Sequence, residues 1–101
     1  YWLTLPVKFN PSAKTPNERV FQPDGMGLKE FEIQVYDRWG NICWRSSALQ
    51  EGRTVEHWDG TFKGKPMPEG IYSWHVNRAV FEDGTLWEGL KKGTVTLIRE
   101  K

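Results

Sequence analysis

Apolar residues recur with a period of two in nearly every stretch that looks ordered, and no window sustains the i, i+3, i+4, i+7 spacing of an amphipathic helix. The alternation predicts a domain built almost entirely of strands. At the start, Leu3, Leu5, Val7 and Phe9 fall on one side of an extended segment, and Trp2, Thr4, Pro6 and Lys8 fall on the other. Pro6 has no N–H to give to a ladder, so this first strand is expected at a sheet edge. From Asn10 to Gly27 the alternation is lost among Pro11, Pro16, Pro23, Asp24, Gly25 and Gly27. That composition predicts a long turn-rich loop over residues 10–28 that connects elements and adds nothing to the core.

Alternation resumes where Phe31, Ile33 and Val35 interleave with Glu32, Gln34 and Tyr36. The polar run Asp37 to Asn41 supplies a turn, and Ile42 and Trp44 continue inward on the return strand, which makes a hairpin. A polar stretch from Ser46 to Glu56 carries no strand signal. Trp58-Asp59-Gly60 and the loop from Gly64 to Gly70 then lead into a long strand in which Tyr72, Trp74 and Val76 face inward and Ser73, His75 and Asn77 outward. Glu82-Asp83-Gly84 turns the chain back, and Val95 and Leu97 point inward on the final strand. Gly89 and Gly93 in that return leg predict bulges or close backbone approach. Many short strands separated by turns point to a β-sandwich.

Composition narrows the function classes. At 101 residues the chain matches one domain, residues 1–101, with one core. A 38% hydrophobic content with six tryptophans sets it apart from disordered chains. Fourteen basic residues balance thirteen acidic ones and the signs are interspersed, so the basic stripe of a nucleic-acid binder is absent and none is expected as a partner. No apolar run approaches the roughly twenty residues of a membrane span, and no membrane insertion is expected. The first residue is Tyr, and nothing near it resembles a signal peptide. The chain is therefore expected to be a fragment of a larger secreted protein, monomeric as a domain.

Candidate chemistry is sparse. Asp24, Glu82 and Asp83 neighbour glycines, but the repeated oxygen-ligand spacing of a calcium loop is missing. His57, His75 and Cys43 lack zinc-site spacing. Cys43 has no helix N-terminus to activate it, and Ser46, Ser47 and Ser73 have no nucleophile elbow. No enzyme activity, metal or cofactor is expected. Asp59 can bond its own backbone two residues on while Gly60 takes a positive φ, forming a turn that anchors Trp58 inward. Trp39 is expected to cover the edge of the core, the alternative being an exposed tip with Arg38 stacked on the indole. The tryptophans also raise a carbohydrate-binding reading. Trp44 and Trp74 fall on apolar strand faces and Trp39 and Trp58 can cap the core, which leaves Trp2 and Trp87 as candidate sugar platforms. A purely structural capping domain is the third reading.

Four segments occur in a specific order: Val35-Tyr36-Asp37-Arg38-Trp39-Gly40, Trp58-Asp59-Gly60, Pro68-Glu69-Gly70-Ile71-Tyr72, and Gly93-Thr94-Val95-Thr96-Leu97-Ile98-Arg99. Together they resemble the gliding-motility-associated C-terminal domain, the type B sorting domain of type IX secretion cargo in Bacteroidota. Its pattern runs "NRWG", "WDG", "PxGxY" and a terminal "GTVTLIR". Asp37 stands where the family more often has Asn, and the family's "PNxFTPNGDGxND" segment survives only as echoes near Pro11 and Pro23. The resemblance implies an immunoglobulin-like antiparallel β-sandwich of about seven strands that carries no chemistry. It further implies passage through the periplasm, delivery of upstream cargo domains to the cell surface or medium, and reading by secretion machinery that includes a PorP/SprF-type outer-membrane protein. For this family the end of the chain is the signal, so Lys91, Lys92, Arg99 and Lys101 are the candidate recognition residues. Arg38, Trp39, Gly40, Trp58, Asp59, Gly60, Pro68, Gly70, Tyr72, Gly93, Val95 and Leu97 are the motif residues expected to serve structure.

Overall fold

A computed structural model describes residues 1–99, so Lys101 among the candidate recognition residues lies outside the described residues. The described chain is all-β apart from one 3-10 turn at Pro16–Glu18. Its strands are β1 (Trp2–Thr4), β2 (Lys8–Phe9), β3 (Asp24–Met26), β4 (Leu28–Tyr36), β5 (Ile42–Ser46), β6 (Leu49–Gln50), β7 (Arg53–Thr54), β8 (Thr61–Phe62), β9 (Lys65–Pro66), β10 (Gly70–Phe81) and β11 (Lys92–Leu97). Five of them form the main sheet in the order β2-β11-β10-β4-β5. The remainder pair as β1–β3, β6–β7 and β8–β9. The opposite wall of this sandwich-like fold is thus a set of small pairs.

Period-two burial drives the main sheet together. Leu28, Phe31, Ile33 and Val35 of β4, Tyr72, Trp74 and Val76 of β10, and Val95 and Leu97 of β11 are buried in one cluster with Leu3, Phe21 and Trp58 from the other side. Their outward neighbours Ser73, His75 and Asn77 are exposed, as the alternation predicts. Glu51-Gly52 and Lys63-Gly64 both take positive φ at consecutive positions, the signature of two-residue turns joining β6 to β7 and β8 to β9.

Three expectations need correction. The first strand is not continuous: β1 pairs with β3, whereas β2 joins the main sheet parallel to β11. The chain changes layers at Leu5–Val7, where Pro6 cannot extend a ladder, and Val7 is left 73% exposed instead of inward. That crossing also makes the main sheet mixed and not purely antiparallel. The 10–28 segment is not mere connection, because it holds β3 and places Phe21 in the core at 0% exposure, bridged to Trp58. In the hairpin of β4 and β5, a register shift opposite Val35 and Tyr36 inserts Cys43, which is buried, while Ile42 faces out beside Tyr36. Trp44 remains on the core side, half-buried, with its ring edge-on to Phe21 at 6.1 Å.

Candidate functional site

The four ordered segments converge on one end of the sandwich. Residue pairs Gly70–Leu97 and Ser73–Tyr36 place the start of β10, the end of β11 and the end of β4 side by side there. The β8–β9 hairpin closes this end through a Gly60 carbonyl that accepts the Met67 N–H at 2.8 Å.

Three of the four motifs are tied by hydrogen bonds to the segment around the β8–β9 hairpin. Trp58 is buried, its indole Nε1 donating to the Thr61 carbonyl at 2.9 Å and its ring lying 5.4 Å from Phe9 and 5.2 Å from Tyr72. Asp59 Oδ1 accepts from the Thr61 N–H at 3.1 Å and the Thr61 hydroxyl at 2.6 Å, and Gly60 has φ +84°, so the expected turn forms. The Thr61 hydroxyl bond, foremost, holds the Asp59 carboxyl below the usual carboxylate range. The Tyr72 hydroxyl donates to the Pro68 carbonyl at 2.6 Å, and burial pushes its ionisation up. From the terminal segment, Arg99 Nε donates to the Met67 carbonyl at 2.7 Å and Nη2 to the Gly60 carbonyl at 3.0 Å. Among the described residues no buried side-chain nitrogen or oxygen lacks a partner.

Gly93 belongs to the same assembly through a different constraint. It pairs with Trp74, and a Cβ built on Gly93 would lie 2.6 Å from Trp74 Cζ2. The indole therefore crosses the bare backbone of the terminal strand, the close approach expected for this glycine. Gly89 meets the Trp87 ring in the same manner.

The Asp37–Asn41 turn is held by backbone donors: Asp37 Oδ1 accepts from the Trp39 and Asn41 N–H groups at 2.9 Å each, and Gly40 has φ +84°. Desolvation pushes the Asp37 carboxyl up, but these bonds and the Asn41 side chain outweigh it and the net shift is downward. Trp39 does not cover the core edge. It is 73% exposed, with the Arg38 guanidinium 5.2 Å from its ring centroid, because the hydrogen bonds that shape the turn use none of the indole. Trp39 is thus more exposed than Trp2, at 43%, while Trp87 is half-buried under the Lys91 ammonium.

The described candidate basic residues, Lys91, Lys92 and Arg99, do not form one patch. Lys91 and Lys92 are exposed at the start of β11; Lys91 Nζ also donates to the Trp87 carbonyl, and Lys92 pairs with His75 on the outer face. Arg99 sits beyond the other end of β11, about 20 Å away at strand rise, half-buried and turned inward. Concavities near this end include an open groove of about 510 Å³ beside Lys8, Lys14, Glu18 and Ile98 and a cleft of about 60 Å³ between the Asp37–Trp39 turn and Gly70. Among the described residues no group of His, Cys, Asp and Glu is arranged to hold a metal ion.

Sequence reasoning missed that the acceptors of Trp58, Tyr72 and Arg99 are backbone carbonyls of one short segment, residues 60–68. No residue type marks a carbonyl acceptor, so the sequence alone carried no sign of these bonds.

The family described as the CHU_C type IX secretion signal domain matches residues 8–97, a span that takes in β2 through the whole of β11. No curated protein and no solved structure matches the chain.

Proposed function

The chain belongs to the CHU_C type IX secretion signal domain family, and from that premise we propose that it is the non-catalytic sorting domain of a larger exported protein. In this reading it directs upstream cargo, after periplasmic transit, through the type IX secretion system to the cell surface or medium. The match over residues 8–97 carries the reading, because it spans the hairpin turn, the Trp58 turn, the entry to β10 and the terminal strand, the parts that meet at one end of the fold. A PorP/SprF-type outer-membrane protein is the proposed reader.

The proposed contact surface is the start of β11. Lys91 and Lys92 are exposed there. Thr96 gives its N–H to the Val7 carbonyl on the β2 side, and strand alternation turns the backbone groups of Thr94 and Lys92 the same way, beyond the end of β2. An unpaired edge of this kind supports addition of an extended segment from the machinery, with the lysines favouring acidic neighbours. Fusing the 101-residue chain behind a signal peptide and a fluorescent protein tests the function: export should require a working translocon. In the same fusion, K91E/K92E should reduce export with melting unchanged. Full export of that variant would move the reading surface elsewhere on the domain.

A further inference from the structure

Arg99 is the candidate recognition residue whose geometry fits recognition least. Its guanidinium donates to Met67 and Gly60, carbonyls that are 32 and 39 residues away in sequence and that stand at the two ends of the β8–β9 hairpin. The Gly60 carbonyl is shared, accepting from Met67 N–H and Arg99 Nη2 together. The hairpin itself has only two residue pairs, Thr61–Pro66 and Phe62–Lys65. A two-stranded hairpin this short does not hold its shape alone in water.

The seat for the guanidinium is built from glycine and core. A Cβ on Gly60 would lie 3.3 Å from Arg99 Nη2, 3.3 Å from Leu97 and 3.4 Å from Phe9, so the arginine packs over a bare backbone position beside two buried side chains. Neither of its two acceptors is a carboxylate, and the one ion pair among the described residues joins Arg78 to Glu30. Arg99 thus spends its fork on fixed backbone dipoles. A planar guanidinium can address two carbonyls at once, whereas a lysine ammonium offers a point charge without that fork.

We propose, resting on the sorting reading above, that Arg99 is a positioning residue. It clasps the Gly60–Met67 hairpin to the end of β11 and so fixes the terminal strand between β2 and β10 in the form the machinery reads. Its charge is not itself read. Among the described residues the final ladder bond at this end, Ile98 N–H to the Phe9 carbonyl, lies one residue before the clasp. The side chain of Arg99 therefore adds a tie to the β8–β9 hairpin right beside that ladder bond.

The test uses the whole 101-residue chain as wild type, R99K, R99A and K91A/K92A, alone and in the export fusion. Two quantities are measured: amide exchange at Met67, whose N–H closes the hairpin, and the exported fraction. Loss of charge-assisted bonds to two carbonyls should speed Met67 exchange about tenfold or more in R99K as well as in R99A. Export should fall in both, although R99K keeps the charge. K91A/K92A should leave Met67 exchange at the wild-type rate. Wild-type exchange and export in R99K would overturn the proposal, as would lost export in R99A with Met67 exchange unchanged. R99K also keeps the test decisive if R99A fails to fold. A wild-type fusion that is not exported would instead overturn the sorting reading, and the exchange comparison would still decide whether the clasp exists.

Discussion

Gly93→Ala is the substitution whose outcome depends most sharply on the packing of the terminal strand. Gly93 has no positive φ, so its backbone accepts alanine, and by conformational entropy alone alanine in a strand is favoured over glycine by about 0.5–1 kcal/mol. The contact reverses that sign. The new Cβ would lie 2.6 Å from Trp74 Cζ2 and 2.9 Å from Cε2, where unbonded carbons rest about 3.5–4.0 Å apart. The buried indole, at 8% exposure, would have to shift by about 1 Å or push β11 away from β10. Overpacking of this kind costs about 1–3 kcal/mol, so G93A should lose about 1–2 kcal/mol net and about 4–16 °C in Tm. Urea denaturation of wild type, G93A, W74L and the double variant makes the decisive cycle. Leucine at position 74 removes the clashing ring atoms, so G93A should become neutral or stabilising in the W74L background. A G93A protein as stable as wild type, or a cost that is the same in both backgrounds, would refute the reasoning.

Other consequences follow from the same assembly. Tyr72→Phe removes the bond to the Pro68 carbonyl and should cost about 0.5–1.5 kcal/mol in urea titrations; no measurable change would contradict the bond. Trp39→Ala should change stability by less than about 0.5 kcal/mol while removing much of the acrylamide-quenchable tryptophan emission, since Trp39 is the most exposed of the tryptophans; a large loss of stability would restore it to the core edge. Asp59 titrates below the ordinary carboxylate range when folded, so its stabilisation is complete at neutral pH and is lost as the pH falls through that lowered value. The Tm gap between wild type and D59N should therefore narrow as pH drops from about 6 to about 2, and a constant gap would contradict the assignment. Burial, aided by Asp37, raises the Cys43 thiol above its usual range, and the side chain is nearly inaccessible. Iodoacetamide at pH 8 should modify it slowly in the native protein and quickly in denaturant, and fast native labelling would refute the burial.

The strands that bury a face were legible because period-two alternation is read directly: Phe31 to Val35, Tyr72 to Val76, and Val95 with Leu97 all lie where the pattern puts them. Turn chemistry was legible as well, since Asp59-Gly60 and Asp83-Gly84 carry their mechanism in their own side chains and positive φ angles. What escaped lacks a periodic signal. Phe21 is one apolar residue among prolines and polar groups, yet a single bridge to Trp58 brings it to the centre of the core. Thr54 sits in a polar run, but its hydroxyl donates to the Pro23 carbonyl and accepts from the Gly25 N–H, which stitches β7 to β3. Cys43 enters the core only because a bulge breaks the alternation that would have sent it out. For the candidate site, the sequence named Arg99 as a recognition candidate but carried no sign that its guanidinium bonds the Met67 and Gly60 carbonyls, because backbone acceptors leave no mark in residue type.

The central claim is that this domain is a signal for type IX secretion, and the fraction of a reporter recovered outside the outer membrane tests it most directly. A fluorescent protein carrying an upstream signal peptide and this domain is expressed in paired strains with and without a functional type IX translocon, with the cognate outer-membrane partner supplied. The account predicts reporter on the surface or in the medium of the proficient strain alone, and periplasmic retention in the defective strain or when the domain is removed. Equal periplasmic retention of the domain-bearing reporter in both strains would contradict it.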